Sequence, residues 1–149
     1  MNRFAALLDR LAYEPSRNNK LRLIADYFRS VPDPDRGYAL AALTGGLSFQ
    51  HAKAGLIRTL ISERADPVLF ELSYDYVGDL SETVALMWPA LPNSEKTAPS
   101  LTEVVTTLHT LGKSQMAGQL ARWLEGRVGQ PARVLVEQGR RGRDDWFAP

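Results

Sequence analysis

The stretch Asp66-Pro67-Val68-Leu69-Phe70-Glu71-Leu72-Ser73-Tyr74-Asp75-Tyr76-Val77-Gly78-Asp79 decides the fold class. Asp66 is suited to cap a helix, because its carboxylate can accept from amides of the first turn. Pro67 suits the first helical position, where its missing N–H would have had no partner. Gly78 ends the helix, and Asp79 is placed to cap the next one. Between these marks the residues are apolar nearly all round (Val68, Leu69, Phe70, Leu72, Tyr74, Tyr76, Val77), which predicts a centrally placed helix.

The same punctuation repeats in both directions. Toward the N-terminus, Ser48 is expected to open a helix with Phe49, Ala52, Leu56 and Leu60 inward. Before it, Asp33-Pro34 reads as cap plus first-turn proline of a helix running to Leu43, closed by Thr44-Gly45-Gly46, where glycine accepts the left-handed conformation. Ser16 caps a helix with the stripe Leu21, Ile24, Ala25 and Phe28. Phe4, Leu7, Leu8 and Leu11 form the stripe of the first, which stops before Pro15. Toward the C-terminus, a short helix runs from Asp79 to about Trp88. Residues 89–99, with Pro89, Pro92 and Pro99, then read as a loop and the best candidate for a mobile one. Ser100 and Glu103 form a capping box ahead of Val104, Val105, Leu108 and Leu111. Gly112 closes that helix, and Ser114 starts another with Met116, Leu120, Trp123 and Leu124. No period-two alternation is sustained in the first 126 residues. The expectation is all-α: about eight packed helices over residues 1–126, followed by a divergent, disordered tail at 127–149.

Composition narrows the chemistry. The 149 residues hold no cysteine, which removes disulfides, thiolate metal sites and cysteine nucleophiles. No apolar run approaches a membrane span, and Asp9 and Arg10 interrupt any leader-like segment, so a cytoplasmic protein is expected. His51 and His109 have no partner at helical spacing, and no metal site is expected. Glu71, Asp75, Asp79 and Glu82 are read as a cap and solvated carboxylates rather than a cation site. Neither of the usual phosphate-loop patterns is present, nor a G-x-S-x-G nucleophile elbow, so no catalytic residue is assigned. Charge is uneven: residues 1–64 carry ten basic and six acidic side chains, and residues 65–126 carry three and eight. A basic half of this kind can face a polyanion.

Within that half, Arg17, Asn18, Asn19 and Lys20 cluster at the start of a helix, where free amides add positive potential. On the expected fourth helix His51, Gly55, Arg58 and Ser62 share a face, with Gln50 and Lys53 on the neighbouring strip. Gly55 costs about 1 kcal/mol relative to alanine inside a helix and so points to a close approach, by another helix or by nucleic acid.

The order Leu43-Thr44-Gly45-Gly46-Leu47, helix, Asp66-Pro67, then Tyr76-Val77-Gly78-Asp79-Leu80-Ser81 resembles the N-terminal DNA-binding domain of ATP-dependent DNA ligases, the bacterial members most closely. Phe4-Ala5-Ala6-Leu7-Leu8-Asp9-Arg10-Leu11 with Asn18-Asn19-Lys20-Leu21 resembles its opening. Leu101-Thr102-Glu103-Val104 and Leu120-Ala121-Arg122-Trp123-Leu124 resemble later parts, and the likeness covers roughly residues 1–125. The departures are equally specific. Ser81 stands where many members have glycine, no second helical half echoes the Thr-Gly-Gly-Leu turn, and none of Lys20, Lys53, Lys96 or Lys113 opens the adenylated K-x-D-G motif. The resemblance therefore implies a truncated ligase, a monomer that grips double-stranded nicked DNA for repair, recombination or replication. ATP and magnesium would be cofactors of the intact ligase and not of this chain. Charge and helix ends pick out Arg17, Asn19, Lys20, Thr44, Gly46, Lys53 and Arg58 for DNA contact. The other reading is a non-enzymatic helical adaptor that binds protein through Phe70, Tyr74 and Trp88.

Overall fold

The computed structural model describes residues 1–89 and 98–125, and among them there are eight α-helices and no strand. They are α1 (Asn2–Tyr13), α2 (Arg17–Ser30), α3 (Asp35–Thr44), α4 (Ala54–Ser62), α5 (Pro67–Val77), α6 (Leu80–Met87), α7 (Leu101–Thr110) and α8 (Lys113–Glu125). The all-α class follows directly. The tail at 127–149 and most of the proline-rich loop lie outside the described residues.

The caps read from sequence are in place. Ser16, Asp66, Asp79 and Ser100 each accept, through a side-chain oxygen, the backbone amide three residues on. Gly45 and Gly78 close α3 and α5 with φ of 75° and 73°, in the left-handed region that a β-carbon disfavours.

Four expectations are corrected. First, α4 begins at Ala54 rather than after Ser48. Leu47 and Phe49 are buried while Ser48 and Gln50 are exposed, so this segment is extended, with period-two burial. The ring of Phe49 lies 4.8 Å from that of His109 on α7. Second, Pro34 and not Asp33 holds the cap position of α3, after a cis Asp33–Pro34 peptide, and Asp33 pairs with Arg36 at 2.9 Å. Third, Tyr27, outside the expected stripe of α2, is its buried residue; of the stripe Leu21 is 54% exposed, while Ile24, Ala25 and Phe28 are half-buried and Phe28 packs against the core. The helix packs on α1 at the edge of the fold, where Tyr27 meets Phe4.

The fourth correction concerns the centre. It is α4, through Ile57 and Ile61, that packs against α5, α6 and α8. Only Phe70 of α5 is fully buried, and Val68, Leu69, Leu72 and Tyr76 face outward. A helix apolar all round can still lie at the surface if neighbours cover one side only. α3 packs on α7, whose Leu101, Val104, Val105 and Leu108 are buried.

Candidate nucleic-acid interface

Three parts of the fold hold the seven residues expected to touch DNA. At the start of α2, Arg17 is exposed and Lys20 half-buried; the Lys20 backbone amide donates to the Ser16 carbonyl at 2.9 Å, but neither side-chain cation pairs with another described residue. Asn19 is committed: its backbone amide donates to Ser16, and its side-chain amide donates to Glu14 Oε1 at 3.4 Å. Glu14 also accepts from the Ser16 amide at 2.9 Å, which sets a carboxylate beside the helix end and offsets part of its positive potential.

Thr44 and Gly46 sit at the end of α3, and their donors are spent on ending it. The Thr44 hydroxyl donates to the Leu40 carbonyl at 2.8 Å, and the Gly46 amide donates to the Ala41 carbonyl at 2.7 Å. These residues shape the turn; they have no free hydrogen to offer a phosphate.

The start of α4 is different. Lys53 occupies the cap position in an extended conformation, is exposed, and offers no side-chain oxygen to the first turn. Gly55 is exposed in that turn, and a β-carbon built on it would meet nothing within 4 Å. The close approach of a second helix, one of the two readings of this glycine, does not occur among the described residues. What remains is a smooth, uncapped helix end with a lysine on it.

Arg58, one turn further along α4, is occupied. Its guanidinium lies 3.3 Å from Glu71 Oε1 and 4.4 Å from the Tyr74 ring centroid, so it ties α4 to α5. His51 precedes α4 and does not share the helical face assigned to it with Gly55, Arg58 and Ser62. Among the described residues the side-chain cations of Arg17, Lys20 and Lys53 have no partner, and the rest of the seven are engaged.

Of the three adaptor anchors only Phe70 is internal, while Tyr74 and Trp88 are half-buried against the core. Phe70 is wholly buried, Tyr74 stacks on it, and Trp88 lies under the Arg64 guanidinium at 4.9 Å. Among the described residues no group of three potential ligands could hold a metal ion, and no helix is long and apolar enough to cross a membrane.

One polar contact had no signal in the sequence. Asp35, in the first turn of α3, accepts the Thr102 backbone amide at 2.8 Å and the Thr102 hydroxyl, across 67 residues of chain. Burial alone would raise the Asp35 carboxyl, but the Thr102 bonds outweigh it and hold the group below its ordinary value. Nearby, burial pushes the Tyr27 hydroxyl up to about 12, with the Asp35 charge adding to the effect.

Comparison of the chain with protein-family models, with curated proteins and with solved structures gives no match.

Proposed function

We propose that the chain binds duplex DNA through its phosphates, as the DNA-gripping N-terminal portion of an ATP-dependent DNA ligase. One observation carries the reading: the uncapped start of α4, where exposed Lys53 adjoins Gly55 with open space around it. A phosphate oxygen could approach the first-turn amides there and find the helix dipole and a lysine charge together. Arg17 and Lys20, at the start of α2, supply further cations that no described residue pairs. Arg58 contributes only if DNA displaces Glu71.

Contacts of this type position a duplex without reading bases, so little sequence preference follows. No K-x-D-G lysine is present, so adenylation and nick sealing, with their ATP and magnesium, would belong to other parts of a ligase. Mixing the chain with labelled ATP and magnesium should leave it unlabelled.

The test is a salt titration of duplex binding. With three or four phosphate contacts, log affinity should fall against log salt with a slope of about −3 to −4, from a dissociation constant of ~10⁻⁴–10⁻⁶ M. Replacing Lys20 and Lys53 together by alanine should flatten the slope by about two units. Binding that survives high salt, or a slope unchanged in the double variant, would place the contact surface elsewhere.

A further inference from the structure

A pocket of about 220 Å³ opens where three helices begin: Asn2 of α1, Asp35 of α3 and Leu101 of α7, each the first residue of its helix, line it. The positive ends of three helix dipoles meet there, against the single negative end of α2 at Val31. At α1 that end is open. The Phe4 and Ala5 amides donate to the Met1 carbonyl, and no described side chain takes those of Asn2 and Arg3.

A buried side chain points to the same ligand chemistry. Tyr27 is only 8% exposed and packs its ring against Phe4 at 5.9 Å, yet its hydroxyl has no hydrogen-bond partner among the described residues. Burying a hydroxyl unbonded is costly, and a ligand that bonds it removes the cost. The hydroxyl end faces the polar side of the pocket, since the charges of Asp35 and Arg3, both in its wall, act on it. With its pKa pushed up to about 12, it keeps its proton and donates.

Donors outnumber acceptors in this wall. Asp35 is spent on the two Thr102 donors and the Leu101 amide, and the Met1 ammonium offsets part of its charge. Arg3 gives Ser30 two of its five N–H donors, at 3.3 and 2.9 Å. Phe4, Val31 and Leu101 make the rest of the wall apolar. A cavity of ~150 Å³ holds benzene, so this one has room for a ring with a small polar group.

We propose that this pocket binds a small organic monocarboxylate. The carboxylate accepts from the Tyr27 hydroxyl, the Arg3 guanidinium and the first amides of α1, and the hydrocarbon lies against Phe4, Val31 and Leu101. The site is distinct from the start of α4 and does not rest on the DNA reading.

The test titrates benzoate into the full-length chain and follows the backbone amides of Phe4 and Leu101 by NMR. Their shifts should saturate with a dissociation constant on the order of 1 mM. Tyr27→Phe keeps the ring and removes the donor, and should weaken binding about ten-fold. Arg3→Gln, at an exposed position, should weaken it several-fold, and it carries the same test if Tyr27→Phe does not fold by circular dichroism. Benzylamine, of similar size and opposite charge, should bind at least ten-fold more weakly than benzoate. Shifts that do not saturate, or affinity unchanged in the folded variants, would overturn the proposal. Benzylamine binding as tightly as benzoate would overturn it too, by giving the pocket to cations through Asp35.

Discussion

The starts of α7 and α4 pose the same chemical problem and solve it in opposite ways. Every helix leaves its first amides without an intrahelical acceptor. At α7 the protein satisfies them: Ser100 Oγ takes the Glu103 amide at 3.0 Å, and Asp35 reaches over from α3 to take that of Thr102. At α4 no side chain does so, and the cap position holds a lysine, whose ammonium can only donate. A helix end finished from within is part of the structure's stability. One left open under a cation gives up that stability and stays available to an anion. Breaking the first and finishing the second are therefore the informative experiments.

The largest effect is expected at α7. Asp35→Ala removes a charged acceptor from two donors at a half-buried site, which should cost about 2 kcal/mol. Calorimetry should show a fall in melting temperature of ~8 °C for a domain of this size. The pH dependence has a defined sign. The folded Asp35 pKa lies below its unfolded value, so this stabilisation is complete above the unfolded value near 3.8. It is lost as pH falls through the folded value. The difference between wild type and Asp35→Ala should accordingly shrink in acid. A constant difference down to pH 2 would remove the carboxylate from the account of α7.

What the sequence revealed and what it hid divide by the range of the interaction. Ser16, Asp66, Asp79, Ser100, Gly45 and Gly78 were legible because each acts on amides or carbonyls within a few residues, so identity and spacing fix the contact. The Asp35–Thr102 bond joins distant parts of the chain, and nothing local to either residue announces it. The true start of α4 was hidden for the same reason: Phe49 is held by His109 on α7, and its spacing to Ala52 imitates a helical stripe. Composition gave α5 its apolar character but could not say which neighbours would cover it. At the candidate site, charge marked Arg17, Lys20, Lys53 and Arg58 alike. Only the packing of α4 on α5 shows that Glu71 and Tyr74 already hold Arg58.

Lys53→Asp converts the start of α4 into one of the α7 kind. The backbone at Lys53 is already in the extended conformation of a capping residue, with φ −118° and ψ 151°, so an aspartate there can accept a first-turn amide without rearrangement. Stability should rise by about 1 kcal/mol, read as a higher midpoint in urea. Duplex affinity should move the other way, by about ten-fold at low salt, since one phosphate contact is lost and a repulsive charge is gained. The opposite signs are the point of the comparison. A variant that gains stability and binds DNA as well as wild type would show that the open end of α4 serves no anion.

The smallest effect, and the sharpest in geometry, is at Gly55. In the free protein a methyl group at this position projects into open space, so Gly55→Ala should stabilise α4 by about 0.5 kcal/mol, modest because the residue lies in the first turn. No charge changes, so a purely electrostatic attraction between Lys53 and DNA would leave both affinity and salt slope as they were. If a phosphate instead packs against the backbone of this turn, the methyl group obstructs it. Affinity should then drop several-fold with the slope preserved, because the lost contact is steric and the counterions released are the same. Measuring Gly55→Ala and Lys53→Ala on the same duplex separates the two cases. A lower slope only in the lysine variant, together with weaker binding in both, is the result expected if the helix end itself receives the phosphate.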